Sequence, residues 1–280
     1  MENNQLFRYS NFTKQMIHII YRTCEKINPI NGTRPQWCRD KEFKNKCLKS
    51  LASGLKDQEY KFIVIGDKLS QDSINRIKSI IPNADIRNFE EGLGNQKSLF
   101  QSYCAADSLK EDKDVVFFCE DDYLFLPNWF RNMSYFFANI ANKCEYAFYH
   151  PTDYPDQYRD DRTRRGYLFL NPNGGWYREV DSTTCTKACS VKTYKKYVEL
   201  MKDCAVRKKI GYNQQAEPVY DSTGADDGRL SEIFGHKNAT GYIKLNQTAF
   251  CFSPIPGDSA HVHTGTESYF TNWENMYKNI

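Results

Sequence analysis

Three adjacent carboxylates, Glu120, Asp121 and Asp122, directly follow the apolar run Val115–Cys119. Such a run predicts a buried strand, and ligands of open α/β sheets bind beyond the carboxyl ends of the strands. Adjacent carboxylates repel one another unless a cation lies between them, and clustered oxygen ligands without thiolates suit Mg²⁺ or Mn²⁺. These residues therefore predict a divalent-metal site at a sheet edge. The alternative is a solvated turn with helix-capping acids.

A second acidic pair, Asp226 and Asp227, precedes the segment 229–234, which has a helical pattern. A positioned carboxylate can take the proton from a hydroxyl group that attacks an electrophilic carbon, so one of the two is a candidate catalytic base. The alternative is a helix N-cap, in which an aspartate accepts free backbone N–H groups. Both interpretations can hold, one for each aspartate.

Two histidines, His261 and His263, stand two residues apart late in the chain. In a strand their imidazoles would project to one face, where they are candidates to complete the metal site. Surface histidines without a ligand are the alternative. His18, His150 and His236 have no such context and are predicted to be structural.

Two further segments are candidates for contact with a nucleotide. Asp67 closes the apolar run 62–66, at the edge where a base or ribose would lie. The glycine-containing segment 92–98 precedes a predicted helix, so its backbone, Asn95 and Lys97 could face a diphosphate; an ordinary turn and helix start is the alternative. Trp176 and Tyr177 are candidates for stacking on an acceptor sugar, against burial in the core.

The elements that position these residues alternate in the first half of the chain, which is typical of a parallel sheet with helical connections. The predicted strands are 16–21, 61–65, 84–87, 115–119, 167–170, 176–180, 242–245 and 249–252. The predicted helices are 41–55, 71–81, 96–109, 127–141, 192–207 and 226–234. We expect one domain over residues 1–280, with a sheet-based half over 16–145 and an irregular, acceptor-facing half over 146–280.

Composition narrows the class of protein. The 280 residues carry 38 basic and 35 acidic side chains, a near balance that argues against nucleic acid as a partner. Hydrophobic residues make up 40%, enough for a sizeable core. The chain contains no apolar run long enough to span a membrane, and its first ten residues do not resemble a signal peptide. These features predict a cytoplasmic protein, in which the ten cysteines would be reduced.

The order of these residues resembles the GT-A glycosyltransferases, most nearly their large family two, over roughly residues 16–265. The resemblance implies a Rossmann-like, mixed, mostly parallel sheet flanked by helices. It implies that the half 16–145 binds the nucleotide-sugar and that the half 146–280 binds the acceptor and carries out catalysis. It also implies nucleotide contacts from the turn after the first strand, here Arg22 and Thr23, and from Asp67.

The metal-binding DxD motif of that family corresponds to the segment 120–122, in which Glu120 replaces the first Asp. Glu120 and Asp122 are then metal ligands and Asp121 contacts the nucleotide-sugar. By the same resemblance the base lies in the pair 226–227, and His261 or His263 completes the metal site.

The function implied is transfer of a sugar from a nucleotide-sugar, by the same resemblance a UDP-sugar, to a hydroxyl group of a glycan or other acceptor. Inversion at the anomeric carbon and Mn²⁺ or Mg²⁺ as cofactor belong to the same expectation. One alternative is a sugar nucleotidyltransferase, whose glycine-rich signature is missing from the segment 22–25. Another is a non-catalytic carbohydrate-binding module.

Overall fold

The computed structural model describes residues 15–25, 34–158, 167–171, 174–181, 183, 186–206, 208–215, 218–221, 230–234 and 247–280. The candidate bases Asp226 and Asp227 and the predicted strand 242–245 lie outside the described residues.

The described strands are, in chain order, β1 (Ile17–Cys24), β2 (Tyr60–Asp67), β3 (Asp85–Phe89), β4 (Val115–Glu120), β5 (Tyr123–Phe125), β6 (Ala147–Tyr149), β7 (Leu168–Leu170), β8 (Trp176–Val180), β9 (Lys187–Ser190), β10 (Lys208–Tyr212), β11 (Pro218–Asp221), β12 (Phe250–Ile255) and β13 (Ser259–His261). The described α-helices are α1 (Phe43–Ser53), α2 (Gln71–Ile80), α3 (Gly94–Ala106), α4 (Trp129–Asn139), α5 (Val191–Val206) and α6 (Trp273–Lys278). No helix among the described residues has both the length and the apolar composition that a membrane span requires.

Nine of these strands form one mixed sheet in the order β3-β2-β1-β4-β9-β6-β12-β8-β7. The first four strands of this order are all parallel, and β6 and β12 also pair in parallel. The other neighbouring pairs are antiparallel. The predicted mixed α/β sheet flanked by helices is confirmed. Strands from both halves of the chain belong to this sheet, since β4 of the first half lies next to β9 of the second half.

Helices cover the sheet on both faces, which is why β4 is a continuous apolar run. Val115 and Phe117 of β4 belong to the same buried cluster as Leu51 of α1. Val116 and Phe118 point to the other side, where they share a cluster with residues of α3 and α5. A strand buried on both faces loses the alternation of polar and apolar residues, as the sequence of β4 shows.

A short antiparallel pair, β5 with β13, brings two distant parts of the chain together. Tyr123 is directly opposite His261 in this pair, and the backbone N–H of Val262 donates to the carbonyl oxygen of Asp122 at 2.9 Å. Leu124, Ala260 and Val262 then pack with α6 and α1 in a third buried cluster. This pairing fixes the end of the acidic segment against the late histidines.

The predicted strands and helices of the first half are present, with shifts of a few residues at their ends. The prediction missed β5, β10, β11 and β13. It also missed β6 and β9, which have only three and four residues. Strands this short carry too few residues to show a period, and they are buried on both faces. Of the predicted helix 226–234, the structure describes residues 230–234, and these form a 3-10 helix, Leu230–Phe234.

Candidate functional site

A cavity of about 410 Å³ opens at the carboxyl ends of β1, β2 and β4. Because these strands are parallel, their last residues meet at one edge: Arg22 is in register with Glu120, and Cys24 with Asp67. The cavity is lined by Arg22, Thr23, Cys24, Arg34, Lys44, Asp67, Gly94, Asn95, Ser98, Glu120, Asp121, Asp122 and His263. Most of the residues predicted to contact a nucleotide or a metal therefore line the same cavity.

Asp122, His261 and His263 form a group whose potential metal-ligand atoms all lie within 4.8 Å of one another. Oδ2 of Asp122 is 3.3 Å from Nε2 of His261 and 3.4 Å from Nε2 of His263. The His261 ring stacks on Tyr123 at a centroid distance of 4.7 Å, which fixes its orientation. We call these three residues the metal triad, as a candidate site.

The surroundings of the Asp122 carboxylate fit a cation. Its Oδ1 is buried and has no hydrogen-bond partner among the described residues, although buried carboxylate oxygens are normally paired. Burial opposes ionisation of Asp122, but hydrogen bonds from His261 and His263 and the charge of Arg34 hold its pKa well below the usual range. The carboxylate is thus ionised and keeps one oxygen available.

Glu120, the first residue of the acidic segment, pairs with a cation from β1. Its carboxylate forms an ion pair with the guanidinium of Arg22. Arg22 also donates to Oδ1 of Asn95 at 2.6 Å and to Oγ of Ser98 at 3.0 Å, both on α3. Glu120 therefore lies outside the metal triad and connects the sheet edge to α3 through Arg22.

Asp121, the middle residue, pairs with a cation from α1. Its Oδ2 is 2.8 Å from Nζ of Lys44 and accepts a hydrogen bond from Thr23 at 2.6 Å. Lys44 also donates to the carbonyl oxygen of Cys24 at 2.6 Å. Burial alone would lower the pKa of Lys44, but the negative charge of Asp121 raises it, so the ammonium is charged.

Asp67 lies at the cavity edge and faces the start of α3. Its two carboxylate oxygens accept the backbone N–H groups of Leu93 and Gly94, each at 2.8 Å. This is how an acidic side chain satisfies the free N–H groups at a helix N-terminus. Lys97, by contrast, is exposed, and the cavity lining includes Asn95 and Ser98 but not Lys97.

Sequence reasoning missed two basic residues of the lining, Arg34 and Lys44. Arg34 is within 3.5 Å of Oδ2 of Asp122 and donates to the carbonyl oxygen of Val262, 228 residues away, at 3.4 Å. Lys44 reaches Asp121 from a helix that the prediction placed correctly. Neither residue belongs to a local motif, and only the helical position of Lys44 beside the strand ends gave a sequence signal.

Three other residues singled out in the sequence, His150, Tyr177 and Trp176, differ in their burial. His150 is buried, with Nδ1 at 3.1 Å from the carbonyl oxygen of Thr186, and burial lowers its pKa to about 3. Tyr177 is fully buried and donates its hydroxyl to the carbonyl oxygen of Asn132 at 2.8 Å, whereas Trp176 is 45% exposed.

Comparison with known proteins gives structural similarities only. No protein-family profile and no curated protein sequence matches the chain. The chain is similar to S. aureus TarS 1–349 in complex with UDP, at 12% identity, with 68% of this chain and 55% of that chain covered and a TM-score of 0.44. It is also similar to the glycosyltransferase GlyE of Streptococcus pneumoniae TIGR4, at 10% identity, 68% and 38% coverage and a TM-score of 0.36. A third similarity is to the galactosyltransferase LgtC in complex with donor and acceptor sugar analogs, at 10% identity, 66% and 65% coverage and a TM-score of 0.34.

GlyE and LgtC are named as glycosyltransferases. The chain spans about half the length of TarS 1–349. The identities and TM-scores are low, so the function has to be inferred from the chain's own residues. Those residues combine a candidate metal triad, basic side chains paired with acids, and a cavity at the sheet edge. Such an arrangement can hold a metal ion and a phosphorylated ligand together.

Proposed function

We propose that this protein is a metal-dependent glycosyltransferase that moves a sugar from a nucleotide-sugar, a UDP-sugar, to a hydroxyl group of an acceptor with inversion. The observation that carries the proposal is the metal triad beside the cavity at the carboxyl ends of β1, β2 and β4. Nucleotides bind at this edge in open α/β sheets.

The charges of the cavity support a role for a divalent cation. Its lining holds four carboxylates and three basic side chains, so its formal charge is −1 with His263 neutral. A diphosphate would be repelled by this lining alone. One divalent cation reverses the sign of the net charge, so the lining then attracts a diphosphate.

Asp122, His261 and His263 are the residues that would hold the ion. One carboxylate oxygen and two imidazole nitrogens favour Mn²⁺ over Mg²⁺, because Mg²⁺ prefers oxygen ligands alone. When bound, the ion supplies positive charge that stabilises the departing diphosphate. Arg22 and Lys44 hold Glu120 and Asp121 in fixed positions around the same cavity.

The acceptor hydroxyl requires a base, and we assign this role to Asp226 or Asp227. The acceptor oxygen forms a bond to the anomeric carbon while the bond from that carbon to the diphosphate breaks. The diphosphate leaves with the electron pair, and the hydroxyl proton passes to the aspartate. A single displacement of this kind inverts the configuration at the anomeric carbon.

The first experiment measures thermal unfolding with UDP, GDP, CDP and ADP, each with and without Mn²⁺. A ligand at about 100 times its dissociation constant adds roughly 2.7 kcal/mol, which raises the melting temperature by several degrees. We expect the largest shift with UDP, and only with Mn²⁺. If no nucleotide shifts the transition, the proposal is wrong and a nucleotide-independent carbohydrate-binding module becomes the better hypothesis.

A double variant, Asp226→Asn with Asp227→Asn, separates catalysis from binding. We expect loss of UDP-sugar turnover with the Mn²⁺-dependent UDP shift retained, since neither residue belongs to the proposed metal triad. Asp112→Asn is the matched control, because Asp112 is an exposed aspartate paired with Lys195. Release of pyrophosphate from UTP and a sugar 1-phosphate would instead identify a nucleotidyltransferase.

A further inference from the structure

Three exposed aromatic side chains lie together on the surface, from two separate segments of the chain. Tyr158, Tyr269 and Phe270 are 41%, 55% and 60% exposed. The ring centroid of Tyr158 is 5.9 Å from that of Tyr269 and 5.8 Å from that of Phe270. We call these three residues the aromatic platform. Large apolar side chains clustered on a surface commonly mark a binding site.

The platform is held in place from below by a buried ion pair. The Tyr158 hydroxyl donates to Oδ2 of Asp153 at 2.6 Å, and Oδ1 of Asp153 accepts from Arg178 at 2.6 Å. The Arg178 guanidinium also lies 4.7 Å from the centre of the Tyr158 ring. Asp153 is fully buried, so Tyr158 is fixed before any ligand arrives. Fixed rings lose little conformational entropy on binding.

Both segments of the platform are anchored at the metal triad. Tyr154 places its hydroxyl 3.5 Å from Nδ1 of His261, and the 3-10 helix Pro155–Tyr158 follows it directly. Four residues at a 3-10 rise span about 8 Å. On the other segment, Thr266 donates to the carbonyl oxygens of His261 and His263 at 2.7 and 2.9 Å, three residues before Tyr269. The two segments that carry the platform rings therefore both contact histidines of the metal triad.

We propose that the aromatic platform binds the acceptor and that this acceptor is a saccharide; the inference rests on the proposed function. The faces of aromatic rings are electron-rich and attract the C–H groups on the flat side of a sugar ring. The exposed area of the three rings is roughly 300 Å², taking about 200 Å² for each ring. A stable protein partner needs about 800 Å² on each side, so the platform suits a short saccharide better.

The test uses the full chain with UDP and Mn²⁺ on a printed array of short homo-oligomers of glucose, galactose, mannose and N-acetylglucosamine. We expect the wild type to bind at least one of them. The double variant Tyr269→Ser with Phe270→Ser should bind at least about tenfold more weakly. The ring-retaining variant Tyr269→Phe with Phe270→Tyr should stay within about twofold of the wild type, because stacking needs the rings and not the hydroxyl group.

Val206→Ser is the control, because Val206 is another exposed apolar residue, at the end of α5. Its saccharide affinity should equal that of the wild type. The Mn²⁺-dependent UDP shift, measured on every variant, tests the proposed function separately. If that shift is present but the wild type binds no saccharide, or the serine variant binds as well as the wild type, the inference is wrong. If the wild type binds no saccharide but forms a dimer that the serine variant does not form, the platform binds a second copy of the chain instead.

Discussion

The two oxygens of the Asp122 carboxylate have different surroundings. Oδ2 faces both imidazoles of the metal triad, whereas Oδ1 is buried and has no hydrogen-bond partner among the described residues. Glu120 and Asp121, its neighbours in sequence, each pair with a basic side chain, and Asp122 lies 3.5 Å from Arg34. Of the three, Asp122 is the one grouped with two histidines. Of these three acids, Asp122 is therefore the one whose geometry suits a metal ligand.

This difference predicts the effect of removing one charge. Asp122→Asn should weaken Mn²⁺ binding by at least about tenfold, or 1.4 kcal/mol, because a neutral amide is a poorer ligand. Titration calorimetry with Mn²⁺ measures the change. Asp112→Asn, at an exposed ion pair, should leave the affinity unchanged. Equal Mn²⁺ affinity in Asp122→Asn and the wild type would exclude Asp122 as a ligand.

A second buried acid, Asp258, gives a pH-dependent prediction. Burial raises its pKa to about 7, although Tyr149 and Asn132 both form hydrogen bonds to it. At pH values between the ordinary pKa of an aspartate and about 7, Asp258 is ionised in the unfolded chain, whereas it keeps its proton in the folded protein. The unfolded state then binds fewer protons, so the contribution of Asp258 to the free energy of unfolding falls as pH rises through this window, and is constant above it.

Asp258→Asn should remove this contribution. An amide keeps an oxygen for Asn132 and offers an N–H group to the Tyr149 hydroxyl, so the packing is preserved. Urea titrations at several pH values measure the free energy of unfolding of both proteins. The variant should become more stable relative to the wild type as the pH rises from 4 to 7. A change on the order of a few kcal/mol is expected. A difference that does not vary with pH would contradict the raised pKa.

The helices contribute to the site by where they begin and end. The N-terminus of α3 meets Asp67 at the cavity edge. The N-terminus of α2 is capped by Ser70, whose Oγ accepts the backbone N–H of Ser73 at 3.2 Å. Ser70 is itself held by Glu25, which directly follows β1. The caps thus link the helices to the strand ends that form the site.

Removal of the α2 cap should destabilise the protein. Ser70→Ala should lower the free energy of unfolding by about 1 kcal/mol, because one N–H of the first turn loses its partner. Ser79→Ala is the matched control: Ser79 is exposed on the same helix and donates only to the carbonyl oxygen of Arg76. Urea unfolding measures both. An equal loss in the two variants would mean that capping is not the cause.

On the scale of the whole molecule, the site joins the two halves of the chain through a two-stranded sheet that is separate from the nine-stranded one. Asp122 follows β4 of the first half, and the histidines of the metal triad lie in and after β13 of the second. The short pair β5 with β13 joins them. The net negative lining beside a candidate cation site predicts that metal and nucleotide bind together.

We therefore predict that Mn²⁺ and UDP each raise the affinity of the other. The two factors should be equal, on the order of 5- to 150-fold, because coupling between two bound ligands is reciprocal. Calorimetric titration of each ligand with and without the other measures both factors, after correction for Mn²⁺ bound by UDP in solution. In Asp122→Asn the coupling should largely disappear. Independent binding in the wild type would contradict the charge argument.

The elements that a local pattern controls were predictable from the sequence. The strands β1, β2 and β4 were predictable because buried apolar runs end in polar residues, and the acids 120–122 marked the sheet edge. The histidine pair was predictable as a candidate, since residues two apart in a strand share a face. Short strands such as β6 and β9 were not, because three or four residues carry no period.

The partners of the three acids, by contrast, depend on tertiary contacts. Arg22, Lys44 and Arg34 reach Glu120, Asp121 and Asp122 from three separate parts of the chain. The sequence contains no sign of these pairings, because each depends on the register between strands or on where a helix packs. The same holds for the aromatic platform, in which Tyr158 lies more than a hundred residues before Tyr269 and Phe270. Charge and contact across such separations are properties of the folded chain, and local sequence does not encode them.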